Sequence, residues 1–258
     1  MKEIDVFIER QNINNIFSKI PRNLIQTYEN NKLNNTIYDN IISILKINND
    51  FNYYLITDEI GINLINKYFD KYTLDAFNKL NIGAAKGDFL RYISMYIYGG
   101  VYLDLDSSIN ISLSSYIDPN IEHIFFLDWD NNLQQWCFMC SPNNPIILSI
   151  IKEMVKRIYN EEKNIFIATG PTLFTDVIYN YINNTNIYNT KLLIPSSYRY
   201  YFFMSNKNFM NGIILYENDI NNFYKNFQFK FNGFNDNMLY NNNKYIVTYN
   251  EPTPNFYK

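Results

Sequence analysis

The sequence predicts an α/β layered fold, and three observations carry that reading. Strand-like and helix-like segments alternate through the first two-thirds of the chain. With 258 residues, 47% of them hydrophobic and 18% charged, the chain is large and apolar enough to bury a full core. Neither an internal repeat nor a linker interrupts it, so residues 1–258 read as a single domain.

Taken in order, residues 4–18 suit a short helix, and residues 22–28 (RNLIQTY) follow Pro21 as a buried strand. Over 34–47, Ile37, Ile41, Ile44 and Leu45 fall on one helical stripe. Residues 52–57 read as a second strand, and Asp58 is the expected N-cap of helical stretches that fill 58–80. The clearest helix covers 84–98 and stops at Gly99-Gly100, because glycine tolerates the left-handed backbone that ends a helix. Residues 101–106 (VYLDLD) are then a strand. Further strands are expected near 123–128 and 134–140, with a helix at 145–160 opened by Asn144-Pro145. Thr169-Gly170-Pro171 introduces another helix to about residue 182. Near the C-terminal end, Phe227, Phe229 and Phe231 alternate as on a half-buried strand, and 244–249 (KYIVTY) reads as another.

Composition excludes several functions. A net charge of −3 with no basic face argues against nucleic acid, and the 24 Tyr and 20 Phe serve core packing instead. No apolar stretch follows Lys2, and nowhere do about 18 apolar residues run together. The expectation is therefore no signal peptide, no membrane span, a cytoplasmic setting, and membrane contact that is peripheral at most. A glycosylation sequon at Asn110, close behind VYLDLD, fits that setting, since a glycan there would obstruct the segment. Cys137 and Cys140 form a lone CxxC with His123 as the single histidine, too few ligands for structural zinc. They read as buried thiols, and His123 as a structural residue. The sequence has no Gly-x-Ser-x-Gly, no phosphate loop and no Gly-x-Gly-x-x-Gly, which disfavours serine hydrolases, P-loop enzymes and dinucleotide enzymes.

The chemistry concentrates in residues 83–106 (GAAKGDFLRYISMYIYGGVYLDLD). On an extended strand, Val101, Leu103 and Leu105 share one face, and Tyr102, Asp104 and Asp106 share the other. The Cα atoms of the two aspartates then sit about 6.6 Å apart, two strand rises. Like charges that close favour a cation between them, and a hard divalent ion bridging carboxylates to substrate phosphates resolves the repulsion. A glycosidase pair would instead flank the scissile bond, roughly 5–9 Å apart and from different sides. Asp88 and Arg91, three residues apart on the preceding helix, lie on one face of it. Asp128-Trp129-Asp130 is a second Asp-x-Asp, but no helix and Gly-Gly precede it.

This helix, with Tyr98-Gly99-Gly100-Val101-Tyr102-Leu103-Asp104-Leu105-Asp106 after it, resembles the signature of DXD-containing sugar transferases of glycosyltransferase family 32. That group includes initiating α-mannosyltransferases and capsular polysaccharide transferases, and it is distantly similar to the large clostridial glucosylating toxins. The similarity extends over about residues 20–200, through Ile20-Pro21, Gln26-Thr27-Tyr28, residues 138–145 (FMCSPNNP) and Thr169-Gly170-Pro171. It implies a GT-A fold, a Rossmann-like mixed sheet flanked by helices. It also implies Mn²⁺ or Mg²⁺ on Asp104 and Asp106, and transfer of a hexose from a UDP- or GDP-sugar with retention of configuration. Gln26, Thr27, Tyr28, Asp88, Arg91, Tyr102 and Asp104 would hold the donor, with Asp88, Arg91, Asp104 and Asp106 catalytic. The acceptor would be a glycan, a lipid-linked sugar or a protein hydroxyl. The sequence departs from the family in two places. The family's C-terminal segment with His and Trp is absent from 245–258, which leaves Asn250 and Glu251 as candidates for a third metal contact, and Lys86-Gly87 replaces a small residue and Ser before Asp88. Two rival readings are a sugar-nucleotide- or glycan-binding module without turnover, and a nucleotidyltransferase. The latter would carry a Gly-rich basic loop, which residues 26–36 lack.

Overall fold

A computed structural model describes residues 1–10, 17–115, 117–126 and 132–184, and the backbone of three later strands. The elements are β1 (Lys2–Glu3), β2 (Phe7–Ile8), β3 (Asn23–Thr27), β4 (Lys32–Leu33), α1 (Asn35–Ile47), β5 (Asn52–Ile56), α2 (Asp58–Tyr68) and α3 (Lys71–Lys79). Then come α4 (Gly83–Tyr98), β6 (Gly100–Leu103), β7 (Ser107–Ile109), β8 (His123–Phe126), β9 (Cys137–Cys140), α5 (Pro145–Tyr159), α6 (Ile165–Ala168) and α7 (Pro171–Asn184). The later strands are β10 (Thr190–Leu193), β11 (Ile213–Tyr216) and β12 (Phe227–Phe229).

Eight strands form one sheet in the order β11-β10-β8-β9-β6-β3-β5-β2. The sheet is mixed: β6, β3 and β5 run parallel, as do β8, β10 and β11, while β9 is antiparallel to both β6 and β8. Strand alternation sends side chains into two cores. Ile25, Ile56, Tyr102, Phe125 and Phe138 join residues of α2, α4, α5 and α7 on one face. Leu24, Leu55, Val101, Leu103 and Met139 join the Ile37, Ile41 and Ile44 stripe of α1 on the other. With helices on both faces, the strands are apolar in both directions, as layered α/β sheets require.

The helices begin where their caps dictate. The Asn34 side chain accepts the Ile37 N–H at the start of α1, and Asn144 accepts from Ile146 and Ile147 with Pro145 in the first turn of α5. At α2 the cap is Thr57, not Asp58; Asp58 is the first helical residue, where its charge favours the helix dipole. The expected helix over 4–18 does not form in its described part. Phe7–Ile8 pairs with Tyr53 and Tyr54 as an edge strand, and residues 11–16 lie outside the described residues. Phe227–Phe229 is a strand as expected, whereas Phe231 and 244–249 lie outside the described residues.

Cys137 and Cys140 are free, buried thiols on β9, and burial pushes both well above the usual thiol range. His123 is buried on β8 and stacks on Phe125, with burial pushing its pKa down to about 4, so the ring is neutral. It pairs with Cys140, whose other neighbour is Gly100, so it sits at the far end of the strands from Leu103. Among the described residues no helix is long and apolar enough to cross a membrane.

The α4–β6 junction fixes how helix and strand face each other. Gly99 and Gly100 have φ of 58° and 116°. A Cβ on Gly99 would lie 2.5 Å from the Pro142 nitrogen, and one on Gly100 would collide with the Asn23 carbonyl oxygen. Both positions therefore require glycine. Gly100→Ala is expected to lower the unfolding free energy by more than about 1 kcal/mol, whereas Gly83→Ala, with nothing within 4 Å of its Cβ, should be neutral or stabilising. Urea denaturation of the two variants checks the contrast.

Candidate active site

Strand β6 ends at Leu103, not at residue 106, and Asp104, Leu105 and Asp106 form the turn beyond it. The Ser107 N–H donates to the Asp104 carbonyl, and the Asp104 N–H donates to the Trp136 carbonyl of the neighbouring chain segment. Leu105 still joins Val101 and Leu103 in the α1-side core, so the expected apolar alternation persists through the turn. Because β3 and β6 are parallel, Thr27 and Leu103 end at the same edge of the sheet. This is the carboxyl edge, where open α/β sheets bind ligands.

Helix α4 comes back over that edge. It enters β6 through a tight Gly-Gly reversal, so its early residues lie above the end of the strand. Asp88 and Arg91, one turn apart, point down onto Asp104. Arg91 Nη1 donates to Asp88 Oδ1 at 2.7 Å, and Nη2 donates to Asp104 Oδ1 at 2.7 Å. The guanidinium lies 4.6 Å from the centre of the Tyr102 ring. Arg91 and Asp88 are only 5% and 6% exposed. A solvated helical ion pair would be worth little, but a buried one must be satisfied on every side.

The surroundings meet most of that demand. Thr169 Oγ1 donates to Asp88 Oδ2 at 2.9 Å, and Gln135 Nε2 donates to Asp88 Oδ1 at 3.2 Å. The Tyr92 hydroxyl lies 2.5 Å from Gln135 Oε1. On the strand side, the Tyr102 hydroxyl donates to Asp104 Oδ1 at 2.8 Å and accepts from Thr27 Oγ1 at 2.9 Å. Arg91 Nε is buried without a hydrogen-bond partner. Burial pushes the Asp88 carboxyl up to about 6 against the pull of Arg91 and the Thr169 hydrogen bond, with the Asp104 charge adding to the rise. Burial pushes the Tyr102 hydroxyl far above its usual range, which keeps it a donor. Arg91 stays charged because Asp104, Tyr102 and Asp88 more than offset its desolvation.

The other expected residues divide. Gln26 is fully buried: its Nε2 donates to the Asp104 carbonyl at 3.3 Å and its Oε1 accepts from the Tyr53 hydroxyl at 3.1 Å, bracing the turn from beneath. Tyr28 is half-buried at the same edge of the sheet, with its N–H on the Ile56 carbonyl. Lys86, on the first turn of α4, faces Asp58 at 3.4 Å. Asp106 is half-buried in the turn. Asp128, Trp129, Asp130, Asn250 and Glu251 lie outside the described residues.

Comparison with known proteins finds likenesses over part of the chain. Residues 34–123 match the glycosyltransferase sugar-binding region containing a DXD motif. Over that stretch the chain is similar to DXD glycosyltransferases.

An uncharacterized glycosyltransferase, L373, of Acanthamoeba polyphaga mimivirus is 33% identical over 160 residues, covering 60% of this chain and 61% of that one. Mannosyl phosphorylinositol ceramide synthase CSH1 of Saccharomyces cerevisiae is 26% identical, covering 70% and 49%. The initiation-specific alpha-1,6-mannosyltransferase of Schizosaccharomyces pombe is 23% identical, covering 42% and 34%. This chain thus spans from a third to three-fifths of the length of these relatives. Among solved structures, the PaToxG glycosyltransferase superposes with a TM-score of 0.53 at 19% identity, covering 63% of this chain and 69% of that one. That likeness shows the GT-A fold.

Sequence reasoning brought Asp88, Arg91, Tyr102 and Asp104 together but gave no role in the site to Gln135, Tyr92 or Thr169. The one available signal was the Thr-Gly-Pro resemblance at Thr169. Nothing local marked Gln135.

Asp88 also makes stability pH-dependent. Its folded pKa is raised above the unfolded value near 4, so the folded state holds a proton that the unfolded state has lost between about pH 4 and 6. This group's contribution to stability is complete below that window and falls away as pH rises through about 6. Denaturation midpoints measured from pH 4 to 7 should lose this component in Asp88→Asn, so the gap between wild type and variant should change across the window.

Proposed function

We propose that this chain is a metal-dependent, retaining hexosyltransferase that uses a UDP- or GDP-sugar. The observation that carries the reading is the Arg91 guanidinium clamped between Asp88 and Asp104 at the carboxyl edge of the sheet. That geometry fits a nucleotide-sugar site with charged groups aimed at both halves of the donor. In this reading Asp88 orients sugar hydroxyls from the helix side. Arg91 sets the positions of both carboxylates and places a fixed positive charge beside the diphosphate. Thr27 and Tyr102 hold Asp104 in place, and Gln26 fixes the backbone of the turn. Tyr28 offers a ring on which the nucleotide base stacks.

The donor set suits a hard divalent cation such as Mn²⁺ or Mg²⁺. Both hydrogen bonds to the Asp104 carboxylate fall on Oδ1, which leaves Oδ2 without one among the described residues, and Asp106 supplies a second half-buried carboxylate. Among the described residues no third Asp, Glu, His or Cys gathers with them, so substrate phosphates would complete the coordination. When bound, the ion supplies Lewis-acid neutralisation of the leaving diphosphate.

The mannosyltransferase relatives make mannose the first hexose to test. The acceptor is a hydroxyl of a glycan, a lipid-linked sugar or a protein, and any membrane contact is peripheral. The single-domain reading of 1–258 belongs to the same proposal, supported by strands from residues 7 through 216 joining one sheet. So does a cytoplasmic setting, supported by the two free thiols of Cys137 and Cys140.

Nucleoside diphosphate release from UDP- and GDP-hexoses, with and without Mn²⁺, tests the reading. Metal-dependent release from one donor is expected, with Asp104→Asn or Asp106→Asn lowering it at least a hundredfold, roughly the cost of losing a transition-state charge contact. Folding should be preserved. Wild-type turnover in either variant would remove the metal assignment.

A further inference from the structure

The carboxylate of Asp88 is almost fully committed within the protein. An ionised carboxylate has about four lone-pair sites, two per oxygen. Oδ1 accepts from Arg91 Nη1 and from Gln135 Nε2, so both of its sites are taken. Oδ2 accepts from Thr169 Oγ1 and retains one site. The Gln135 amide is oriented by its two neighbours. Asp88 can only accept, so Nε2 must face it, and the Tyr92 hydroxyl 2.5 Å from Oε1 is then the donor to that oxygen. One N–H of Gln135 is used on Asp88, and the second has no partner among the described residues. Gln135 is half-exposed and stands one residue before Trp136, whose carbonyl accepts the Asp104 N–H. Among the described residues, an open acceptor position on Asp88 and an open donor on Gln135 therefore lie side by side, next to the Asp-x-Asp turn.

We infer that Gln135 is a specificity-determining residue that contacts the donor sugar together with Asp88. The pair grips one sugar hydroxyl, which donates to Asp88 Oδ2 and accepts from Gln135 Nε2. This inference rests on the donor-sugar role proposed above for Asp88. Thr169 and Tyr92 are positioning residues: the first leaves Oδ2 a single direction for substrate, and the second keeps the amide nitrogen forward. A hydroxyl that must both donate and accept at one point discriminates between epimers. An epimer with its hydroxyl turned away leaves the open position on Asp88 Oδ2 and the second N–H of Gln135 without that partner.

Calorimetric titration of UDP, GDP and their glucose and mannose conjugates, with the monodeoxy forms of each sugar, tests this in wild type, Gln135→Met and Tyr92→Phe. The quantity read is the margin by which a sugar conjugate binds more tightly than its bare diphosphate. Gln135→Met should narrow that margin about tenfold or more, and Tyr92→Phe should narrow it less. One monodeoxy sugar alone should be indifferent to the Gln135 substitution, because it lacks the hydroxyl concerned. A purely structural role would weaken diphosphate and conjugates equally, and thermal melts report any loss of folding directly. An unchanged margin in Gln135→Met, or equal sensitivity of every deoxy sugar, overturns the inference while leaving the transferase reading in place. Failure of the wild type to bind any of these nucleotides overturns both.

Discussion

A single buried guanidinium organises this molecule's carboxyl edge. Arg91 is almost without solvent and must find its counter-charges inside the protein, because an unpaired buried cation costs several kcal/mol. It finds two, Asp88 from its own helix and Asp104 from the turn after β6. The bridge ties α4 to the end of β6. It also defines how the intervening reversal must run, which is why Gly99 and Gly100 take backbone conformations closed to other residues.

The rest of the site supports that bridge. Two carboxylates against one guanidinium leave an excess of negative charge, and the neighbouring donors share it out: Thr169 and Gln135 on Asp88, and Tyr102 with Thr27 behind it on Asp104. Strand β9 is the means by which one of these donors arrives. Running antiparallel between β6 and β8, it brings its entering residues, Gln135 and Trp136, alongside the end of β6. An all-parallel sheet would have placed the departing end of that strand there instead. The site thus sits beside the strand at which the sheet changes direction, in keeping with ligand sites at topological switch points.

What the sequence disclosed was local. The helix stop at Gly99-Gly100, the shared face of Asp88 and Arg91, and the isoleucine stripe of α1 are all set within a few residues, and periodicity reads them directly. Burial of the ion pair was not legible, since an i,i+3 pair looks the same on a wet helix as on a dry one. Covering groups decide it, and these come from 47 and 81 residues away in sequence. The same holds for Phe7–Ile8, whose local pattern suits a helix until pairing with β5 at the sheet edge overrides it. Asp104 and Asp106 were found, but they were placed on a strand that in fact ends at Leu103, because alternation of buried side chains continues one residue pair beyond the last paired strand residue.

The most direct test of the shared bridge is a double-mutant cycle on Asp88→Asn and Asp104→Asn, read as unfolding free energy at pH 8. Each single variant leaves Arg91 one carboxylate, while the double variant leaves a buried guanidinium with none. The account predicts that the double variant loses more stability than the two singles combined, by at least about 1 kcal/mol. Additivity within about 0.5 kcal/mol would contradict it, since the two aspartates would then be held independently.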